Sequence, residues 1–246
     1  HGPNSPFLAG REMEPDYIVV NSEKEKEAVH RMMGIDNSRI LKTGMGIFSK
    51  LSYKHLNQDS DDTAVIMLTW KPYEDNMEDF TKSSYYQNTL AVYNMLRKYL
   101  PADQIHIVIH PKTGAHLEKT ELAPSIWRKP ISEVLSIAKL LITDYSSVCY
   151  NSFYQGGGVV FFQEDLKFYE KENGKLIPKD DEYIGKRAFS LEELNTILEE
   201  GCRDGRIQLD VFRTEEFERR YRQINEFSDG KNMERLCEKL KELRLI

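Results

Sequence analysis

Cysteine is scarce, and what there is cannot staple a fold: Cys149, Cys202 and Cys237 are odd in number, far apart, and form no C-x-x-C pair. Each sits in an apolar-periodic stretch, so the three read as reduced core thiols of a cytosolic protein, and a zinc site lacks the ligand spacing it needs. Long apolar runs are missing too. The greasiest stretch, Val134 to Ile142, is interrupted by Lys139 and falls short of the roughly 18 residues that a bilayer span requires; no signal-peptide pattern is read either. Positive charge is the minority sign, with 34 Lys and Arg against 40 Asp and Glu, and the resulting charge of −6 argues against a general nucleic-acid coat while leaving room for a local basic pocket. Glycine and proline are at ordinary levels, 14 and 9, which excludes collagenous and low-complexity chains. What remains is a globular composition, 40% hydrophobic, in a chain of 246 residues that can bury roughly 70% of its unfolded surface without disulfides or metal.

Short runs rich in β-branched residues alternate with longer stretches of helical period, the pattern of an α/β protein with a mainly parallel sheet. The strands predicted are Tyr17–Asn21, Ile40–Thr43, Ala64–Thr69, Ile105–Ile109, Leu140–Thr143 and Val159–Phe162. Ser22-Glu23-Lys24-Glu25 is a capping box opening a helix that stops at Gly34. Further helices are expected over Ser83–Leu100, from Pro130 to about Lys139, and over Ser146–Gln155 before Gly156-Gly157-Gly158. The last 55 or so residues read as helices only: Leu191–Glu200, Thr214–Asn225 and Asn232–Leu243. A polar stretch at His55–Asp62 divides two strand-helix blocks. Residues 1–55 then hold too few strands for a domain, 56–62 are a linker, 63–209 suffice for a Rossmann-like domain, and 210–246 are C-terminal helices. The chain begins His1-Gly2 without methionine, so it is expected to be part of a longer protein whose first domain opens upstream.

In an open parallel sheet all strands end on one edge, and ligands bind in the crevice outside it. Trp70-Lys71, His110-Pro111-Lys112 and Asp144-Tyr145-Ser146-Ser147 follow three of the predicted strands and therefore share that rim. Two lysines, a histidine and a hydroxyl-rich helix start suit an anion, specifically phosphate. Asp144 and Ser146 are equally well placed as helix caps. A histidine at a strand end such as His110 can donate to a phosphate oxygen or move a proton, whereas His30, His55, His106 and His116 read as packed or surface residues. Asp59-Ser60-Asp61 resembles a D-x-D metal signature but precedes its strand and falls on the wrong edge. Tyr150, Phe153, Tyr154, Phe161 and Phe162 are accounted for by core packing, with base stacking as the lesser reading.

At these residues the sequence resembles a known family. Leu141–Val148, reading L-I-T-D-Y-S-S-V, followed by an aromatic strand and Asp165–Tyr169, is similar to the CDP-glycerol glycerophosphotransferase family, which builds teichoic acids and related capsule polymers. Leu68–Lys71, His110-Pro111, Ile184–Leu194 and Asp229–Arg235 occur in that family's order, and Asp16–Glu23 and Thr43–Gly46 resemble the end of its first domain, so the likeness covers nearly the whole chain. The resemblance implies a Rossmann-like donor domain of GT-B type, with a partial first domain and a C-terminal helical segment. It implies that Asp144, Ser146, Ser147, His110 and Lys71 hold a donor diphosphate and that Lys231 and Arg235 close the pocket. His1 would be the general base toward the acceptor, although Pro3-Asn4-Ser5 departs from the family's usual continuation and a remnant foreign to the native chain is the competing explanation. Asn151 stands where the family has an acidic residue, Gly156–Gly158 replace its Lys-Pro, and Asn173-Gly174 replace its Arg-Gly, which fits a divergent branch.

The expected activity is transfer of a polyol phosphate, most simply glycerol phosphate, from a CDP-linked donor to the hydroxyl of a lipid-linked saccharide or polymer. The donor is substrate rather than cofactor; no cofactor, metal or nucleic acid is expected. Work on a lipid-linked acceptor places the protein in the cytoplasm, in peripheral contact with the inner face of the cell membrane. Two rivals stand beside this: a GT-B glycosyltransferase using a nucleotide sugar, and a non-catalytic nucleotide-binding or assembly module.

Overall fold

The computed structural model describes residues 15–51, 61–74, 77–110, 113–176 and 178–246. The first described unit is small. Strand β1 (Ile18–Val20) and strand β2 (Ile40–Lys42) pair in parallel and are bridged by helix α1 (Glu23–Met33). Ser22 caps α1, its Oγ accepting from Glu25 N–H at 3.1 Å, and Gly34 ends the helix in the left-handed region at φ 67°. The Glu25 carboxylate reaches one residue beyond the expected box, accepting from Asn21 N–H and Nδ2 at 2.7 and 3.0 Å. Val20, Val29, Ile35 and Ile40 are the buried core of this unit.

The larger unit is wound around five parallel strands. In chain order they are β3 (Thr63–Met67), helix α2 (Ser84–Leu96), β4 (Ile105–Ile107), helix α3 (Gly114–Leu117), helix α4 (Ile131–Ile137), β5 (Ala138–Thr143), helix α5 (Val148–Tyr154), β6 (Gly158–Phe162), helix α6 (Leu166–Asn173) and β7 (Lys186–Ala188). Their spatial order, β4-β3-β5-β6-β7, is the flavodoxin-like doubly wound arrangement, with the order reversing between β3 and β5. Period-two alternation feeds both faces: Ala64, Ile66, Leu140 and Ile142 pack against α2 on one side, and Val65, Leu141, Val159 and Phe161 against α4 and α5 on the other. Helix α7 (Leu191–Gly201), the hairpin of β8 (Cys202–Arg203) and β9 (Arg206–Ile207), and helices α8 (Leu209–Phe212), α9 (Glu215–Ile224) and α10 (Asn232–Glu242) complete the chain.

Several sequence expectations are corrected. The tail is not helical throughout: the β8–β9 hairpin turns at Asp204 and Gly205, both at positive φ, in a span too short for strand periodicity to register. Helix α6 and the polar strand β7, which has a lysine and an arginine in its three residues, escaped the strand and helix assignments. Strand β5 starts at Ala138 rather than Leu140, because Lys139 is not a break in the apolar run. Its side chain is fully buried and its ammonium meets Asp62 at 3.1 Å. Cys149 and Cys202 are buried, but Cys237 is exposed on α10. Gly156 turns the chain at φ 99° between α5 and β6, and a Cβ on Gly158 would stand 2.4 Å from Phe212 Cβ, so glycine there lets α8 approach the sheet.

The chain crosses back to the small unit at its end. Glu226 accepts from Glu23 N–H at 2.7 Å and pairs with Lys42 at 2.8 Å; Asn232 Nδ2 donates to the Met45 carbonyl at 2.9 Å, and Met233 N–H to Ser49 Oγ at 2.9 Å. These contacts seat the end of α9 against α1 and β2, and α10 against the loop that follows β2.

Candidate functional site

The switch point between β3 and β5 is closed by Asp144. Its Oδ1 accepts from Thr69 N–H at 2.9 Å, Thr69 Oγ1 at 2.6 Å and Tyr145 N–H at 2.6 Å, and Oδ2 accepts from Thr69 N–H at 3.0 Å. Burial pushes the Asp144 carboxyl up from its ordinary range against the pull of these donors. Asp144 therefore ties the end of β3 to the end of β5.

Lys71 lies beside it, only 3% exposed, with Nζ donating to Asp165 Oδ2 at 2.5 Å and Ser84 Oγ at 2.8 Å. Asp165 Oδ1 accepts from Tyr145 O–H at 2.6 Å, and the Tyr145 ring lies flat on Tyr169, centroids 3.6 Å apart and planes at 13°. Burial and the Asp165 carboxylate raise the Tyr145 phenol far above its usual range, so it stays a donor. On the far side, Gln163 Nε2 donates to the Asp144 carbonyl at 3.1 Å while its Oε1 accepts from Arg187 Nε at 2.8 Å. Glu74 accepts from the first amides of α2, Ser84 N–H at 2.8 Å and Tyr85 N–H at 3.2 Å, and so occupies the positive end of that helix. Exposed His110 stacks on Trp70, centroids 4.9 Å apart and planes at 10°.

Next to this braced edge opens a cavity of about 420 Å³. Asn21 brings the end of β1 to its wall, Met45 to Leu51 the loop after β2, and Ser146, Ser147 and Asn151 the turn and helix after β5. The carboxyl edges of the two parallel sheets thus face each other across it. Ser146 and Ser147 are half-buried; Ser147 holds the N-cap position of α5 without a capping bond from its side chain. Apolar side chains, including Phe48, Leu135 and Ile224, supply much of the rest.

The structure brings Lys71, Asp144, Ser146, Ser147 and His110 to the predicted rim. Arg235 is committed elsewhere: its guanidinium pairs with Asp229 at 2.8 Å, donates to the Thr43 carbonyl at 3.1 Å and to Asn232, and lies 4.0 Å over the Phe227 ring. Together with exposed Lys231 it stands at the joint of α10 with the β2 loop, one residue removed from the cavity wall at Met45. His1 and Lys112 lie outside the described residues. Sequence reasoning did not single out Asp165 or Gln163 as site residues, although the rule that found the others would have: Gln163 follows the carboxyl end of β6 directly and Asp165 comes two residues later. Among the described residues no cluster of His, Cys, Asp and Glu could hold a metal ion.

A doubly wound parallel sheet with polar loops gathered at its switch point, facing the strand ends of a second parallel unit, is the architecture of a nucleotide-binding domain paired with a partner domain. The family model described as CDP-Glycerol:Poly(glycerophosphate) glycerophosphotransferase matches residues 8–242, and the chain belongs to this family. The teichoic acid glycerol-phosphate primase of Bacillus subtilis (strain 168) is 20% identical over 231 residues, covering 90% of this chain and 56% of its own. The chain thus spans about half the length of this curated relative. A structure of the wall teichoic acid polymerase TagF, as its H444N variant soaked with CDPG, superposes with a TM-score of 0.68 at 19% identity over 92% of this chain and 57% of that one. The UDP-GlcNAc 2-epimerase of Methanocaldococcus jannaschii, in complex with UDP-GlcNAc and UDP, gives 0.53 at 17% identity over 92% and 61%. The two solved structures share the fold.

Proposed function

We propose that this chain is the donor-binding part of a transferase that moves glycerol phosphate from CDP-glycerol to an acceptor hydroxyl in teichoic acid synthesis. The observation that carries the reading is the cavity where the carboxyl edges of the two sheets meet, with Ser146 and Ser147 on its wall. Family membership over residues 8–242 supports the choice of donor. In the reaction, the acceptor oxygen bonds to the glycerol-bearing phosphorus, the bridging P–O bond breaks, and CMP leaves with the electron pair. The acceptor proton passes to a base, for which His1 is the candidate. Hydroxyls of Ser146 and Ser147 on the cavity wall, with the His110 imidazole and the nearly buried Lys71 ammonium on the neighbouring strand edge, would contribute electrostatically as charge grows on the phosphate oxygens. The acceptor is a lipid-linked saccharide or growing polymer, and the protein meets it at the inner face of the cell membrane without needing a metal or cofactor. Residues 1–55 belong to an acceptor-side domain, 63–209 to the donor domain.

Calorimetry with CDP-glycerol, CDP-ribitol and UDP-sugars tests the donor, and analysis of the released nucleotide tests the reaction. Saturable heat with CDP-glycerol and release of CMP are expected. Absence of heat at near-millimolar CDP-glycerol sinks the donor assignment, and release of a nucleoside diphosphate turns the reading to a glycosyltransferase. Ser146→Ala and His110→Ala should each lower turnover about 100-fold; unchanged turnover removes them from the site.

A further inference from the structure

Asp165 occupies the N-cap position of α6, where an aspartate ordinarily accepts from the first free amides of its own helix. It makes no such bond. Both carboxylate oxygens turn the other way, one onto the Tyr145 hydroxyl at 2.6 Å and the other onto the Lys71 ammonium at 2.5 Å. Lys71 in turn donates to Ser84 Oγ at 2.8 Å, at the first residue of α2. Asp165 therefore joins the loops after β3, β5 and β6, and Lys71 carries the link on to the start of α2. Tyr145 immediately precedes Ser146 and Ser147, and its ring is held flat against Tyr169 of α6. Where Asp165 sits decides where the serine turn sits relative to Lys71. Two of the three ammonium protons of Lys71 are fixed by these partners, which keeps a nearly buried cation in place and in one orientation.

We propose that Asp165 is a positioning residue for the donor diphosphate: it fixes Lys71 and, through the Tyr145 hydroxyl, the Ser146–Ser147 turn, so that cation and hydroxyls meet the phosphates in one geometry. The inference rests on the reading of this crevice as the site of a CDP-linked donor. It assigns Asp165 no contact with substrate. Its signature is selective, because a misplaced cation and turn weaken the grip on a diphosphate, whereas a general loss of folded protein weakens all ligands alike.

The test measures affinity for CDP-glycerol and for CMP by calorimetry on the full chain and its variants, with the ratio of the two as readout. Asp165→Asn keeps the shape and removes the charge; it is expected to weaken CDP-glycerol about tenfold or more while CMP affinity holds. Tyr145→Phe deletes a single hydroxyl and is expected to lower the ratio in the same direction by a smaller factor. In a Lys71→Met background, Asp165→Asn should add less than it does alone, because the cation it positions is gone. A ratio unchanged in Asp165→Asn, a proportional fall for both ligands, or full multiplication of the two substitutions overturns the assignment. Should Asp165→Asn fail to fold, an unchanged ratio in Tyr145→Phe overturns it. Absence of CDP-glycerol binding by the unmodified chain overturns the donor reading instead, so the two failures are distinguishable.

Discussion

In the five-stranded unit, β5 and β6 bury every residue they contain and β3 all but its last, and apolar clusters on both faces of the sheet make the core. The two-stranded unit has only a small apolar core of Val20, Val29, Ile35 and Ile40, with Leu41 buried beside it, and polar groups tie it to the rest of the molecule: Glu226 on Glu23 N–H and Lys42, Lys24 on Glu182, and Arg235 on the Thr43 carbonyl. The difference is one of mechanism. Apolar burial stabilises in proportion to area and depends little on pH, whereas ion pairs near the surface are individually weak and respond to acid and salt. The cavity lies between the two: one wall is stiff, and the other is held partly by Met45, Phe48 and Leu51, which join the apolar cluster on the sheet, and partly by groups that titrate.

The largest expected effect tests the stiff side at its least apolar point. Asp62→Ala takes a carboxylate partner away from the fully buried Lys139 ammonium and should cost about 3–5 kcal/mol in urea unfolding. Asp62→Leu with Lys139→Met should recover much of that loss; failure to recover means that the bond from Ile207 N–H to Asp62 at 2.7 Å matters more than the ion pair. Next, Leu140→Ala should lower global stability by about 2–5 kcal/mol. Ile35→Ala, in the small core, should instead speed hydrogen exchange chiefly in α1, β1 and β2; equal effects throughout would show the units unfold as one and dissolve the contrast.

Acid should loosen the polar side first. Arg235 and the Lys231 amide hold Asp229 down to about 2, and Glu226 sits below its ordinary value because the Glu23 amide and Lys42 outweigh its burial. A carboxyl whose folded value is lowered contributes stability above its unfolded value and loses it as pH falls. For Asp229 the loss runs from 3.8 to about 2. Glu25 works in the opposite sense, since burial raises it. Amides of α10 should therefore exchange faster on acidification, relative to β5, and Arg235→Met should erase part of that sensitivity. The smallest effect expected is about 1 kcal/mol for Ser22→Ala at the cap of α1.

Much of this was legible in the sequence where periodicity is strong. The six predicted strands all form, because their runs are apolar and β-branched even where they are short, and the edge rule for parallel sheets brought Lys71, His110, Asp144, Ser146 and Ser147 to one rim. Strand β7 was missed because two of its three residues are cations, which leaves no apolar signature. The chemistry of the rim was less legible than its location. A lysine and an aspartate at strand ends look alike whether they await a ligand or hold each other, and the bonds of Lys71 to Asp165 and of Asp144 to Thr69 join residues 94 and 75 positions apart. The cavity was out of reach for the same reason, since its wall draws on Asn21, Phe48, Ser147 and Asn225 at once.

The return of the chain from α9 through Glu226 to α10 has a practical side. The two-stranded unit is assembled from segments on both sides of the five-stranded one, so it is a discontinuous domain. No single cut separates the two units: a protease nick after the β2 loop leaves the small unit still clamped by α10, and removal of α10 strips it of the contacts at Thr43, Met45 and Ser49 while sparing the sheet. Anyone seeking the five-stranded unit alone must trim on both sides of it, and a tag fused behind α10 is attached to the smaller body rather than the larger.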